Sequence, residues 1–239
     1  MRLVWIITKR ELQSFFDSLM AYIMLFAFLG FSGFFTWISG SDVFLVGQAS
    51  LDSFFGIAYW TLFFFIPALT MPLFAEEYSL GTIELLLKKP VSNWQVISGK
   101  FLSTLMLICI ALALTLPYYF TVSSLGNIDH GAVWSGYFGL ILMSATYISV
   151  GIFASSISKN QIVGFLLALF FGIFFHIIFN ILAGSFTGTL GSIFDFLSLS
   201  THYDSITRGI IDSKDLIYFL SIIFLCLVST ESVISRKNA

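Results

Sequence analysis

The sequence predicts an all-α polytopic membrane protein with six spans, and three observations carry that prediction. Of its 239 residues, 58% are apolar and only 10% charged, with a mean hydropathy of +0.96. A water-soluble domain carries about 25% charged residues, and 29 Phe would leave too much apolar surface in water. Six runs reach the ~20 residues that a helix needs to cross hydrocarbon. Those runs are continuous, whereas a barrel strand alternates with period two over about ten residues.

The runs are Leu19–Ile38, Phe54–Phe74, Phe101–Phe120, Val133–Ser155, Ile162–Ala183 and Leu216–Val233. Before them, residues 4–18 mix Val4, Ile7, Leu12, Phe15 and Phe16 with Lys9, Arg10, Glu11 and Asp17. That pattern suits an amphipathic helix lying on the membrane interface, as an anchor or as a partner contact. No small-residue cleavage site follows the first run, so a signal peptide is not expected.

Arg2, Lys9, Arg10, Lys88, Lys89, Lys100, Lys159, Arg236 and Lys237 all fall on one side of the six runs, and only Arg208 and Lys214 on the other. Bases mark the cytoplasmic face, so both termini are expected there. Pro67 and Pro72 should kink or loosen the inner half of span 2, as a packing adjustment or as a hinge. In span 4, Ala145/Ser149 and Gly151/Ser155 are small-xxx-small pairs that admit a close helix neighbour from this chain or from a second subunit. Gly126, Asn127, Asp129, His130 and Gly131 supply turn chemistry between spans 3 and 4.

The last outer segment, residues 184–215, stays too apolar for a solvated loop. It is read as short helices in or on the outer leaflet, packed against protein. Asp195, Asp204, Arg208 and Asp212 should face outward or pair with one another.

Several chemistries are excluded. Gly99-Lys100 is followed by Phe101, and no glycine precedes it at the phosphate-loop spacing, so ATP must be bound elsewhere if it is used. His130, His176 and His202 match no metal-ligand spacing, and Cys109 and Cys226 lie inside runs where a buried thiol is the simple reading. His176 and Asn180, at i and i+4, should share a face of span 5 and bond to other helices or line a path. No span carries a central Asp or Glu, which argues against an ion-coupled transporter, and no nucleophile–base pair supports an intramembrane enzyme.

The remaining feature is a charged connector, Phe74–Lys100, holding three of the thirteen acids and three of the eleven bases. Glu76 and Glu77 precede Gly81 and Thr82; Glu84 stands beside Leu85, Leu86 and Leu87. Gly81 permits a tight turn. Pro90 stops the preceding helix, and Ser92 or Asn93 can cap the next. A short helix aimed at a soluble partner is the natural picture, against a stiff hairpin connector.

The pattern F-A-E-E-x-x-x-G-T-I-E-L-L-L, followed by P-V-S and V-I-x-G-K-F, resembles the segment after span 2 in permeases of the ABC-2 exporter superfamily. Ile66–Met71, Phe153–Ser156 with Asn160-Gln161, and the stretches His202-Tyr203 and Arg208–Leu220 resemble the gliding-motility permeases of that family. The resemblance implies a type V exporter-like fold, with residues 1–18 as interface helix and 19–239 as the transmembrane domain. In that domain 75–98 would be the coupling-helix segment and 184–215 short or re-entrant helices. It implies Glu76, Glu77, Gly81, Thr82, Glu84, Leu85, Leu86 and Leu87 as the ATPase-coupling surface, and it places His202, Arg208, Gly209 and Asp212 in the extracytoplasmic segment. No catalytic residue or metal is expected in this chain; two copies of a separate ABC ATPase would bind ATP and Mg. An identical or related second permease subunit, the bacterial inner membrane and room for a periplasmic partner are also implied, with no nucleic acid. Either export or mechanical transmission in gliding motility follows from it. A membrane scaffold for a periplasmic partner, or a permease for metalloenzyme maturation, is the alternative.

Overall fold

The computed structural model describes residues 2–39, 49–81 and 91–238, and among these it is helical with no strand. Six helical stretches are long and apolar enough to cross a membrane: Leu19–Trp37, Asp52–Ser79, Asn93–Leu125, His130–Ile157, Gln161–Ser185 and Ser213–Lys237. Each contains all or nearly all of one expected run.

Helix α1 (Arg2–Asp17) precedes α2 (Leu19–Trp37), and only Ser18 separates them. Ser18 is extended, and its hydroxyl accepts the Met20 N–H at 3.3 Å. A serine cap satisfies a donor that the first turn of α2 would otherwise leave bare.

Span 2 is two helices, α3 (Asp52–Thr70) and α4 (Pro72–Ser79). Of the two prolines expected to kink it, Pro67 stays inside α3 and Pro72 opens α4. The joint is repaired from outside. The Ser155 hydroxyl donates to the Met71 carbonyl at 2.8 Å and accepts the Phe74 and Ala75 N–H groups at 3.0 and 3.1 Å. Gly151, one turn away, lies against Thr70, where a Cβ would collide with the threonine side chain. One expected small-residue pair, Gly151/Ser155, therefore has its neighbour within this chain.

Span 3 also breaks, between α5 (Asn93–Ala113) and α6 (Leu116–Leu125). Ser92 caps α5 in a reciprocal box with Gln95, and Pro117 sits in the first turn of α6. The Tyr137 hydroxyl donates to the Thr115 carbonyl at 3.2 Å, satisfying an acceptor at the break. Within the expected run Phe101–Phe120, Pro117 was the available sign of this break, since its neighbours other than Thr115 are apolar.

Span 4 is α7 (His130–Ile157), capped by the Asp129 carboxylate accepting the Ala132 N–H at 3.1 Å. It is the hub of the bundle, packing against α3, α4, α5 and three helices that follow it. In its apolar window 78% of residues are buried, against 22% in span 5 and 28% in spans 1 and 6. Those outer spans expose Phe26, Leu166, Phe224 and Leu225, a surface suited to lipid tails or a second apolar chain.

Span 5 comprises α8 (Gln161–Ile173), a π-helical turn (Phe174–Ile178) and α9 (Phe179–Ser185). Two short helices, α10 (Thr189–Leu197) and α11 (Leu199–Thr207), follow, and α12 (Ser213–Asn238) forms span 6.

Candidate functional site

Nine bases were expected on one side of the bundle. Among them, Arg10, Lys100 and Lys237 lie where α1, α4, α5, α7 and α12 meet, here the base-rich end. The contacts are specific. Lys237 Nζ donates to the Ser156 carbonyl at 2.8 Å, at the C-terminus of α7, and lies 3.9 Å from the centre of the Tyr78 ring. Asn93 donates to Ser235 at 3.0 Å, tying the start of α5 to α12.

Lys100 is the centre of this end. It is 1% exposed, and its ammonium donates to Glu77 of α4 at 2.8 Å and to Glu11 of α1 at 3.3 Å. The Phe74 ring lies 5.3 Å from the same nitrogen. A lone buried ammonium would be prohibitive, but two carboxylates and an aromatic face compensate it. Arg10 adds a contact to Glu11 at 2.5 Å. Burial alone would raise the Glu11 pKa, yet Lys100 and Arg10 outweigh it and hold the carboxyl below its ordinary value.

Geometry allows this because of Gly99. A Cβ there would sit 2.5 Å from Ile7 Cγ2, so the missing side chain lets α1 lie directly on α5. The amphipathic helix expected at the interface is thus also packed against a span. A pocket of 590 Å³ opens beside the ion cluster, walled by Arg10, Glu11, Glu76, Glu77, Lys100 and Gln161 among others.

Of the eight expected coupling residues, the structure describes three. Glu77 joins the Lys100 cluster, and Glu76 is exposed and faces the pocket. Gly81, at φ +67°, takes the left-handed turn that glycine favours, with open space around it. Thr82, Glu84, Leu85, Leu86 and Leu87 lie outside the described residues. Lys100 and Gly99 belong to the motif that carries the resemblance, but the resemblance places neither in the coupling surface. A Gly-Lys pair at the mouth of an apolar run, with acids flanking the preceding run, was the available signal.

At the far end, the four expected residues are not one site. His202 is buried, its Nδ1 at 2.6 Å from the Asp215 carboxylate and its Nε2–H donating to the Phe196 carbonyl at 2.8 Å. Tyr218 stacks on its ring at 4.0 Å and donates to the Leu197 carbonyl at 2.6 Å. Arg208, Gly209 and Asp212 are in contrast at a turn where Arg208 and Gly209 are exposed and Asp212 pairs with Lys214 at 3.4 Å. Asp215, fully buried in the first turn of α12, is the partner that the sequence did not single out. Asp195 accepts from Thr201 at 2.9 Å rather than pairing with the other charges.

His176 and Asn180 do form the expected interhelical bonds and line one pocket, although a π-helical turn rather than a regular α-helix sets their spacing. The π-helical turn sets His176 against the Tyr59 hydroxyl of α3, while Asn180 donates to Ser200 of α11 at 2.9 Å.

A family model described as "ABC-2 family transporter protein" matches residues 9–230. No curated protein sequence matches the chain.

Proposed function

This chain belongs to the ABC-2 transporter family and is the membrane subunit of an ABC transporter; we propose that force from its ATPase subunit enters at the base-rich end and spreads through Lys100. The carrying observation is that one buried ammonium holds α1, α4 and α5 together, at the root of the connector that contains Gly81. A push on Thr82–Leu87 would reach α4 through Glu77 and α5 through Lys100. Glu11 would carry the same displacement to α1. Buried ion clusters suit such transmission, because losing one partner strands the others in low dielectric.

In this reading the base-rich end faces the cytoplasm of a bacterial inner membrane. Two ATPase copies bind ATP and Mg, and a second permease subunit completes the complex. Glu76, Glu77, Gly81, Thr82, Glu84, Leu85, Leu86 and Leu87 form the coupling surface. The resemblance of the Arg208–Leu220 stretch to gliding-motility permeases supports export or force transmission in surface motility as the process served. Exposed Leu190, Ile193, Ile210 and Ile211 on the far-end segment favour a second reading, in which the moving part is a platform for a periplasmic protein and no solute crosses.

The test is ATP turnover by the co-purified complex in lipid nanodiscs. Replacing Glu84 or Leu86 by Lys should abolish permease-stimulated turnover or ATPase binding, and Lys100→Met should uncouple turnover while binding persists. Wild-type coupling in all three variants would overturn the reading. Stimulation by a periplasmic protein with no solute moved into vesicles would favour the platform.

A further inference from the structure

The far end holds a pocket of 450 Å³ between α3, the π-helical turn, α9 and α11, well within the size that encloses small organic ligands. Gly56, Tyr59 and Trp60 form one wall, and Ser200, Tyr203 and Asp204 the wall opposite. Its position follows from the π turn, which carries an extra residue per turn and brings the His176 ring onto Tyr59.

Three properties define what would fit. The pocket is aromatic: Tyr59 and Tyr203 rings lie 4.7 Å apart, and Trp60 packs edge-on to Tyr59 at 5.8 Å. Its charge is acidic, since Asp204 lines it and neither Lys nor Arg does. Burial raises the Asp204 carboxyl above its ordinary value, and Arg208, just beyond the end of α11, opposes that shift through space. Finally, the Tyr203 hydroxyl is buried without a hydrogen-bond partner among the described residues, and the residue is only 5% exposed. A buried hydroxyl left unpaired is costly, and a ligand that bonds it recovers that cost.

We propose that this pocket binds an organic ammonium group, with the Asp204 carboxylate accepting its N–H donors, the exposed Trp60 ring facing the cation, and the now-covered Tyr203 oxygen gaining a donor as the ligand seats. The apolar body of the ligand lies toward Ile177 and Ile181, the latter 60% exposed, so the pocket is open on the side where a lipid or a free amine enters. An anion meets Asp204 with the wrong sign, and a neutral alcohol loses the attraction of the aromatic faces. The binding needs no nucleotide and stands apart from the coupling mechanism.

Benzylamine is a suitable probe, with benzyl alcohol and benzoate as its neutral and anionic counterparts. Binding to the nucleotide-free complex in phosphatidylglycerol nanodiscs is read by saturation-transfer NMR titration. Benzylamine should bind saturably and the two counterparts at least roughly tenfold more weakly. Asp204→Asn should weaken it roughly tenfold and Tyr203→Phe severalfold, since bonds to a charged group are the strong ones. Tyr203→Phe keeps the ring, so it still reads the site if Asp204→Asn does not assemble. In phosphatidylethanolamine nanodiscs, suppressed benzylamine binding identifies a lipid headgroup as occupant, and undiminished binding identifies a free amine. Equal binding of benzoate or benzyl alcohol, or unchanged affinity in both variants, overturns the proposal.

Discussion

Each end of the bundle buries one charge near the start of a span, and the two charges are wired differently. Lys100 reaches partners 23 and 89 positions away, so it joins three helices that the chain brings together only on folding. His202 and Asp215 are 13 positions apart, and their bond staples the short helices to the span that directly follows them. The first arrangement links separate levers; the second fixes one local hairpin. A buried polar contact therefore does not have one meaning in this molecule, and its consequence depends on how many independent elements it holds.

The largest expected effect comes from Lys100→Met. It leaves Glu77 and Glu11 facing each other without their cation, a loss of about 3–5 kcal/mol for a broken buried pair. Hydrogen exchange should rise across α1 and the start of α5 together, and ATP turnover should uncouple. Exchange rising in α5 alone would show that the cluster is local after all.

Asp215→Asn comes next. Losing this staple should cost about 1.5–3 kcal/mol, as for a hydrogen bond to a carboxylate. Exchange should increase in residues 184–212 with α1 and the coupling to ATP unaltered. A lost coupling signal would mean that the two ends are not separable.

Gly99→Ala tests how the first cluster is assembled. The new Cβ meets Ile7, and overpacking of this kind costs about 1–3 kcal/mol. The companion change Ile7→Ala should recover most of it, measured as the thermal midpoint of the purified protein. Failure of that rescue would put the strain somewhere other than the α1–α5 contact.

The six spans were legible because hydropathy needs only a window, and the Ser92 cap was legible because its box partner stands three residues on at Gln95. Asp129 likewise caps α7 from a stretch already read as a turn. Pairing was not legible. Nothing in the order of residues says that Glu11 crosses 89 positions to Lys100; that follows from α1 docking over Gly99, a tertiary event. The π-helical turn escaped for another reason. An i, i+4 reading of His176 and Asn180 assumes a regular α-helix, and π geometry redistributes those side chains to Tyr59 and Ser200. Asp215 was hidden by its place in a charged turn, where exposure is the ordinary expectation, until α11 folded over it.

Acid gives the gentlest way to separate the two ends. The Glu11 carboxyl has a folded pKa below its ordinary 4.5, since Lys100 and Arg10 overcome the opposing effect of burial. Its contribution to stability is therefore complete above 4.5 and is lost as pH falls through the lowered value. Trp5 lies on the exposed side of α1 and reports the helix leaving α5. Its fluorescence should hold steady from neutrality to pH 4.5 and change only below it, and Glu11→Gln should flatten that acid step. A transition that persists unchanged in Glu11→Gln would assign it to other carboxyls. The ion cluster would then owe its hold on α1 to Lys100 and Glu77 packing rather than to the charge on Glu11.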